Sequence, residues 1–485
     1  MLEELKHTSN LTQTENGALA YRTTRSACLD FFAVCGALRH ESDRLIIRKF
    51  MRAYAEDPVT AMRILFYARD IRGGLGERRL FRVIIRHLAQ THPGSVIRNL
   101  LLFGEYGRFD DILSLLGTRC ETALEKYIRH RLQQDVRLMQ KNKPVSLLAK
   151  WLPSVNTSAS HTREQARQIC RLLGMREKEY RKTLSALRAH IGIVENQLRQ
   201  QDYTFSYEKL PSRALLKYRR AFHIHDKKRY RMYLKHVSEG KAHMNTGTLY
   251  PYDIIRGVMK MSSEDSLEAL NTAWNALPDY TDNRNALAVI DGSGSMFWGY
   301  EGSIAPITVA VSLGIYFAER NRGHFANHFI TFSRTPQLVE IHGDNIAQKA
   351  EYCMSYNEII NTDLGAVFNL LLQTAIEYQL PQEEMPELLY IISDMEFDEG
   401  VDTDSTVHEG AKAQFESYGY RLPQVVYWNV SARREQFPVQ MNEDGVALVS
   451  GASPSLFSQM LSQDLTPFSL MEQIISSERY KAVCA

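Results

Sequence analysis

The periodicity of this chain changes once, near residue 284, and that change limits what it can fold into. Residues 27–245 read as helices separated by Gly and Pro. The stretch SDRLIIRKFMRAYAED stops at Asp57-Pro58, and Pro58 suits the first turn of the helix that follows. PVTAMRILFYARDI ends at Gly73-Gly74, and GERRLFRVIIRHLAQTH runs to Pro93-Gly94. Brief turns without strand-like alternation predict stacked helical pairs in a solenoid or irregular bundle. A longer amphipathic helix is expected at 176–199. Its buried stripe is Tyr180, Leu184, Leu187, Ile191, Val194 and Leu198, and Arg181, Lys182 and Arg188 fall off it toward solvent.

Beyond 284, strands and helices alternate. ALAVID, HFANHFITFS, ELLYIIS and PQVVYWNV read as strands, and ITVAVSLGIYFAERN and DLGAVFNLLLQTAIEYQL as helices. Near-continuous apolar strands of this kind indicate a mostly parallel sheet covered on both faces. Ligands of such sheets bind at the carboxyl ends of the strands. The polar start, MLEELKHTSNLTQTENGALAYRTT, reads as a partly ordered tail without the apolar core of a signal peptide.

Charge divides the chain near its middle. Residues 1–245 hold 45 Lys+Arg against 24 Asp+Glu, a net of +21; residues 246–485 hold 13 against 32, a net of −19. The whole-chain value of +2 hides this. A basic half points to nucleic acid, and neutralisation across an internal interface is the bland alternative. No run of 18 apolar residues offers a membrane span. Six scattered cysteines without a CxxC pair argue against a zinc site and a disulfide scaffold, and make a reducing cytoplasm the simplest compartment.

The loop after the first sheet strand, DGSGSM, carries Asp291, Ser293 and Ser295. A carboxylate and two hydroxyls are hard donors that suit Mg2+. Thr362, before a helix, and Asp394, at the end of a later strand, fall on the same rim. A polar turn or a helix cap is the competing explanation for the first loop. Capping is the preferred reading of Asp363. A solvated acidic loop is the preferred reading of Glu396, Asp398 and Glu399.

The series D-x-S-x-S, Thr, Asp resembles the metal-ion-dependent adhesion site of von Willebrand factor A domains. That resemblance implies a Rossmann-like domain in which Asp291, Ser293, Ser295, Thr362 and Asp394 surround one Mg2+ or Mn2+. It also implies an open position for an acidic group of a protein partner. In the basic half, YARDIRGGLGERRLFR, EYGRFDDILSLL, SLLAKWLPSVNTSAS and YEKLPSRALLKYRRAF together resemble an uncharacterised family that joins a helical region to a von Willebrand A domain. More remotely they resemble the TROVE (Ro autoantigen) family, helical-repeat binders of small or aberrant RNA.

The expected architecture is therefore multidomain, α plus α/β. A tail at 1–26 precedes a basic, HEAT-like helical region at 27–275 and an acidic A-like domain at 276–485. The expected function is non-enzymatic RNA binding with a metal-dependent docking site. No small-molecule substrate is evident. An adaptor that binds protein and no RNA is the alternative, and a metal-dependent nuclease a weaker one, because two-metal cages use several carboxylates. RNA would be held by Arg181, Lys182, Arg188, Lys217, Arg219, Arg220, Lys227, Lys228, Arg229 and Arg231. Tyr218, Phe222, Tyr230 and Tyr233, interleaved with them, read either as stacking platforms or as core.

Overall fold

The computed structural model describes residues 1, 5, 8–261, 265–281, 284–298, 304–356, 362–398, 405–459 and 465–485. Its first elements depart from expectation. Leu11–Gln13 (β1) and Leu19–Tyr21 (β2) pair antiparallel, with Leu11 opposite Tyr21. Ala18, Ala20 and Tyr21 are buried. The polar tail is thus in part a folded hairpin, whose second strand buries Ala20 and Tyr21. Tyr21 exchanges backbone hydrogen bonds with Phe437, both 2.8 Å, and its hydroxyl donates to Glu409 (2.5 Å).

The helical region begins with Ala27–Val34, Asp43–Glu56, Pro58–Arg69 and Arg78–Thr91. Local chemistry sets the boundaries. Ser42 accepts from the Leu45 amide, and Asp57 accepts from the amides of Val59 and Thr60, with Pro58 at the first helical position. Edge-on contacts of Phe66 with Phe81, Phe103 and Tyr106 fill the space between these helices. The long helix expected at 176–199 is two: Glu177–Ile191 and Val194–Arg199. Gly192 separates them at φ +69°, a left-handed conformation that ends the first helix and that a side chain would strain.

The second half is a six-stranded sheet. Ala286–Asp291 (β3), His328–Phe332 (β4), Leu338–Glu340 (β5), Leu388–Ser393 (β6), Gln424–Asn429 (β7) and Val446–Ser450 (β8) lie in the order β5-β4-β3-β6-β7-β8. All neighbours are parallel except the β5 edge. The strand β8 was not apparent in the sequence. The helix Pro306–Arg320 is buried from Pro306 to Ala318, as a helix between a sheet and further protein must be. The chain leaves β3 toward β4 on one side and reaches β6 on the other. The carboxyl ends of β3 and β6 are therefore a topological switch point, where such sheets bind ligands.

The two halves share one junction, and the chain ends cross it. The amino-terminal hairpin packs on the sheet. The carboxyl-terminal residues return to the helices. Arg479 clamps the fully buried Asp70 with two hydrogen bonds, one of 2.7 Å from Nη2, and the Tyr480 hydroxyl donates to the same carboxylate at 3.0 Å. Asn99 donates to the Cys484 carbonyl at 2.5 Å. The Gly36 amide meets Ser450 Oγ at 2.9 Å. A Cβ at Gly36 would lie 2.6 Å from the Ser450 carbonyl oxygen, so only glycine permits this approach. Among the described residues, no helix is long and apolar enough to cross a membrane.

Replacing Arg479 with Ala leaves the Asp70 carboxylate buried without its cation. Because the Arg479 side chain is itself 32% exposed, the expected loss in denaturant unfolding is about 3 kcal/mol, the low end for one partner of a buried pair. A loss under about 0.5 kcal/mol would class the clamp with ordinary surface pairs.

Candidate metal centre

Parallel pairing of β3 with β6 brings the ends of the two strands together. Ser393, the last residue of β6, donates its hydroxyl to Asp291 Oδ2 at 2.6 Å. The Ser293 amide donates to Asp291 Oδ1 at 2.9 Å, which curls the D-x-S-x-S loop back over the strand end. The hydroxyls of Ser293 and Ser295 are 3.0 Å apart. Asp291, Ser293 and Asp394 are buried and Ser295 is half-buried. The next residues, Phe297 and Trp298, are 42% and 81% exposed.

Thr362 joins the rim through other groups. Its hydroxyl lies 2.8 Å from the Glu396 carbonyl and 2.8 Å from Asp398 Oδ1, and its amide donates to Asp398 Oδ2 at 2.7 Å. Asp363 caps the next helix through the Ala366 amide, as expected. The solvated-loop reading of Glu396 and Asp398 does not hold. Glu396 is 1% exposed and accepts the Glu15 amide at 2.7 Å, while Asp398 positions Thr362. Glu399 lies outside the described residues. The spacing of Asp394, Glu396 and Asp398, every second residue, was the available signal for shared use.

Two residues that sequence reading missed complete the rim. Arg433, in the loop after β7, donates to Asp394 Oδ2 at 2.9 Å and pairs with Glu15 at 3.1 Å. Its place beyond the carboxyl end of the strand next to β6 could have flagged it. Asn16, at the hairpin turn, donates to Thr362 Oγ1 at 2.9 Å and to the Glu396 carbonyl at 2.8 Å. Nothing in the sequence ties residue 16 to residue 362.

The electrostatics are unbalanced. Burial first, and the Asp394 charge second, push the Asp291 carboxyl from 3.8 up to about 7. Burial also raises Glu396. The Gln436 side chain beside it donates to the Met395 carbonyl and opposes that rise. Of the neighbouring carboxylates Asp291 and Asp394, only Asp394 has an arginine partner among the described residues. Asp291 accepts from the Ser393 hydroxyl and the Ser293 amide, and its remaining lone pairs, with those of the serine hydroxyls, are hard oxygen donors. This donor set fits a hard divalent cation. Among the described residues, no group of three or more His, Cys, Asp or Glu converges as a carboxylate-rich or zinc site would. The fit therefore rests on two carboxylates plus hydroxyls.

The basic residues of the helical region are less uniform than expected. Arg188 is not free in solvent: its guanidinium donates to the carbonyls of Ala149 and Leu152 and to Ser154 Oγ, at 2.6–2.8 Å. Arg229 binds the Phe205 carbonyl and Asp226, and Arg219 is half-buried against the Leu216 carbonyl. Lys217 lies over the Tyr218 ring, and Arg231 is 3.8 Å from Glu268. Arg181, Lys182, Arg220, Lys227 and Lys228 remain exposed, with no hydrogen bond or ion pair to a described residue. The stacking platforms are not available. Phe222, Tyr230 and Tyr233 are buried and pack with Tyr207, and Tyr218 is half-buried.

The chain belongs to the family described as domain of unknown function DUF2828, whose model matches residues 14–129 and 122–283. The model of a second domain of unknown function, DUF7788, matches residues 285–479. An uncharacterized protein of Acanthamoeba polyphaga mimivirus is 30% identical over 517 residues, spanning 96% of this chain and 87% of the viral one. Among solved structures, the RO (RSR) protein of Deinococcus radiodurans overlaps 94% of this chain and all of its own, with a TM-score of 0.37 and 12% identity. At that score the overlap carries no argument about fold or function.

The raised Asp291 carboxyl sets a pH dependence. The folded chain keeps this proton where the unfolded chain has lost it, so stability falls as pH rises from about 4 to about 7. Asp291→Asn removes the effect. Without divalent cations, the melting temperature of the variant is expected to exceed that of the native chain at pH 7.5, with the gap closing near pH 4. Mg2+ should stabilise the native chain more at pH 7.5 than at pH 5. A flat difference across that range would contradict the assignment.

Proposed function

We propose that this DUF2828 chain is a non-catalytic docking protein whose sheet domain grips an acidic group of a partner through a divalent cation, Mg2+ or Mn2+. One observation carries the reading: two buried carboxylates lie at adjacent strand ends, flanked by serine hydroxyls, and among the described residues an arginine reaches Asp394 but not Asp291. Asp291, Ser293, Ser295 and Asp394 would hold the cation, and Thr362 would complete the set. This is the arrangement that the likeness to von Willebrand A domains implies. When bound, the cation supplies positive charge and a coordination position for a carboxylate. The residues themselves fix the loop, exclude water from the carboxylates and hold the two serine hydroxyls side by side. Exposed Phe297 and Trp298 give a partner apolar surface beside the site. The rim acids Glu396 and Asp398 are committed to holding Thr362 and the hairpin, so they do not form the carboxylate cage of a nuclease.

Calorimetric titration of the full chain with MgCl2 tests the reading. Binding is expected in the native chain and should weaken at least ~10-fold in Asp291→Asn and in Asp394→Asn. That is the smallest effect typical even of residues behind the ligands. Heats that are unchanged in both variants would sink it.

A second function, RNA binding by the helical body, is favoured by five exposed cations that have no partner among the described residues and by the +21 charge of residues 1–245. The partner RNA is a structured small or aberrant one, as the likeness to TROVE proteins implies, and the scattered cysteines favour a meeting in the cytoplasm. With the aromatic residues buried, phosphate contacts carry the affinity. Five contacts to a single strand predict a log–log salt slope of about −3.5. The triple variant Arg220→Glu, Lys227→Glu, Lys228→Glu should flatten that slope by about 2. An RNA affinity indifferent to salt, or a slope untouched by the triple variant, would leave the adaptor reading in its place.

A further inference from the structure

We propose that the turn of the amino-terminal hairpin, residues 14–17, is the resting occupant of the metal-site rim, and that Arg433 couples its release to cation binding. This rests on the docking reading above. The turn is fastened to the rim by named bonds. The Glu15 amide donates to Glu396 Oε2 (2.7 Å), the Asn16 amide group donates to Thr362 Oγ1 (2.9 Å), and Thr14 Oγ1 donates to the Phe397 carbonyl (2.5 Å). None of these partners is local: the contacts span 346 to 383 residues of chain.

Two of the contacts bear directly on a cation. A threonine hydroxyl has one hydrogen and two lone pairs. Asn16 takes one lone pair, and the hydrogen goes to the Glu396 carbonyl or to Asp398, so at most one lone pair is left for a cation or its water. Arg433 bridges two carboxylates, with Nη2 on Asp394 and Nη1 on Glu15. A divalent cation on Asp394 competes with the guanidinium for that carboxylate and repels it at short range. Moving Arg433 outward withdraws the charge that holds Glu15. The chemistry of the occupant matches that of the partner, because Glu15 places a carboxylate where the docked acidic group is expected. The strands of the hairpin have their own anchors, Tyr21 to Phe437 and to Glu409, so the turn can leave while the strands stay.

Coupling of this kind is reciprocal: what the cation does to the turn, loss of the turn must do to cation affinity. The experiment uses the full chain and MgCl2 as probe, with four proteins: native, Glu15→Gln/Asn16→Ala, Arg433→Gln, and Asp291→Asn as the reference for lost binding. The double variant and Arg433→Gln are each expected to bind Mg2+ at least ~5-fold more tightly than the native chain. In the native chain, Mg2+ should speed hydrogen exchange at the Glu15 amide and leave that of Tyr21 unchanged. Tighter binding by both rim variants than by the native chain, with none by Asp291→Asn, supports the proposal. If the native chain binds Mg2+ and Asp291→Asn does not, but both rim variants bind equally or more weakly than native, the cap is overturned and the metal reading stands. If none of the four binds, both fall.

Discussion

Two carboxylates lie at the ends of neighbouring parallel strands, in a place with too little positive charge for both. This constraint organises the rest of the rim. The register of β3 and β6 fixes the adjacency, since Ser393 at the end of one strand reaches Asp291 at the end of the other. Burial raises the cost of the charge. The chain meets that cost with what lies within reach: two hydrogen bonds on Asp291, one arginine on Asp394, and backbone amides from the loops. A site built this way is poised for a cation in a manner that a fully paired network is not. The turn of the short amino-terminal hairpin is held at the rim by hydrogen bonds to Glu396, Phe397 and Thr362.

The crossing of the chain ends binds the two halves into one folding unit. Asp70 belongs to the helical region, yet its partners Arg479 and Tyr480 arrive from beyond the sheet. The hairpin belongs to the start of the chain, yet its partners belong to the sheet. Gly36 against Gly451 brings backbone to backbone between the helical region and the end of β8. Cutting the chain near residue 275, the division the sequence invites, would remove both the hairpin and the Asp70 clamp from the parts that need them. Metal and RNA measurements therefore belong on the full chain.

What could be read in advance followed from periodicity. Apolar runs of four or five residues marked β3, β6 and β7, and the polar loop after β3 marked the site, because both signals are local. Other features escaped for physical reasons. Strands of three residues, β1 and β2, have no periodicity to read. Gly192 interrupts a stripe whose spacing continues across it, so the pattern alone cannot show the break. Arg188 lies beside the buried stripe, and only the packing of Glu177–Ile191 against the chain near Leu152 reveals that its guanidinium serves backbone carbonyls. Phe222, Tyr230 and Tyr233 alternate with cations in the sequence, but on the helices Ser212–His225 and Lys227–Ser238 that alternation separates a buried face from an exposed one. The reach of Glu15 and Asn16 across the chain is tertiary and left no local trace.

The most direct test of the central claim is an anomalous diffraction measurement on crystals of the full chain grown with MnCl2. The account predicts a strong Mn2+ peak between the carboxylates of Asp291 and Asp394, within coordination distance of a serine hydroxyl. A map without a peak there, with Arg433 still seated on Asp394 at millimolar Mn2+, would contradict it.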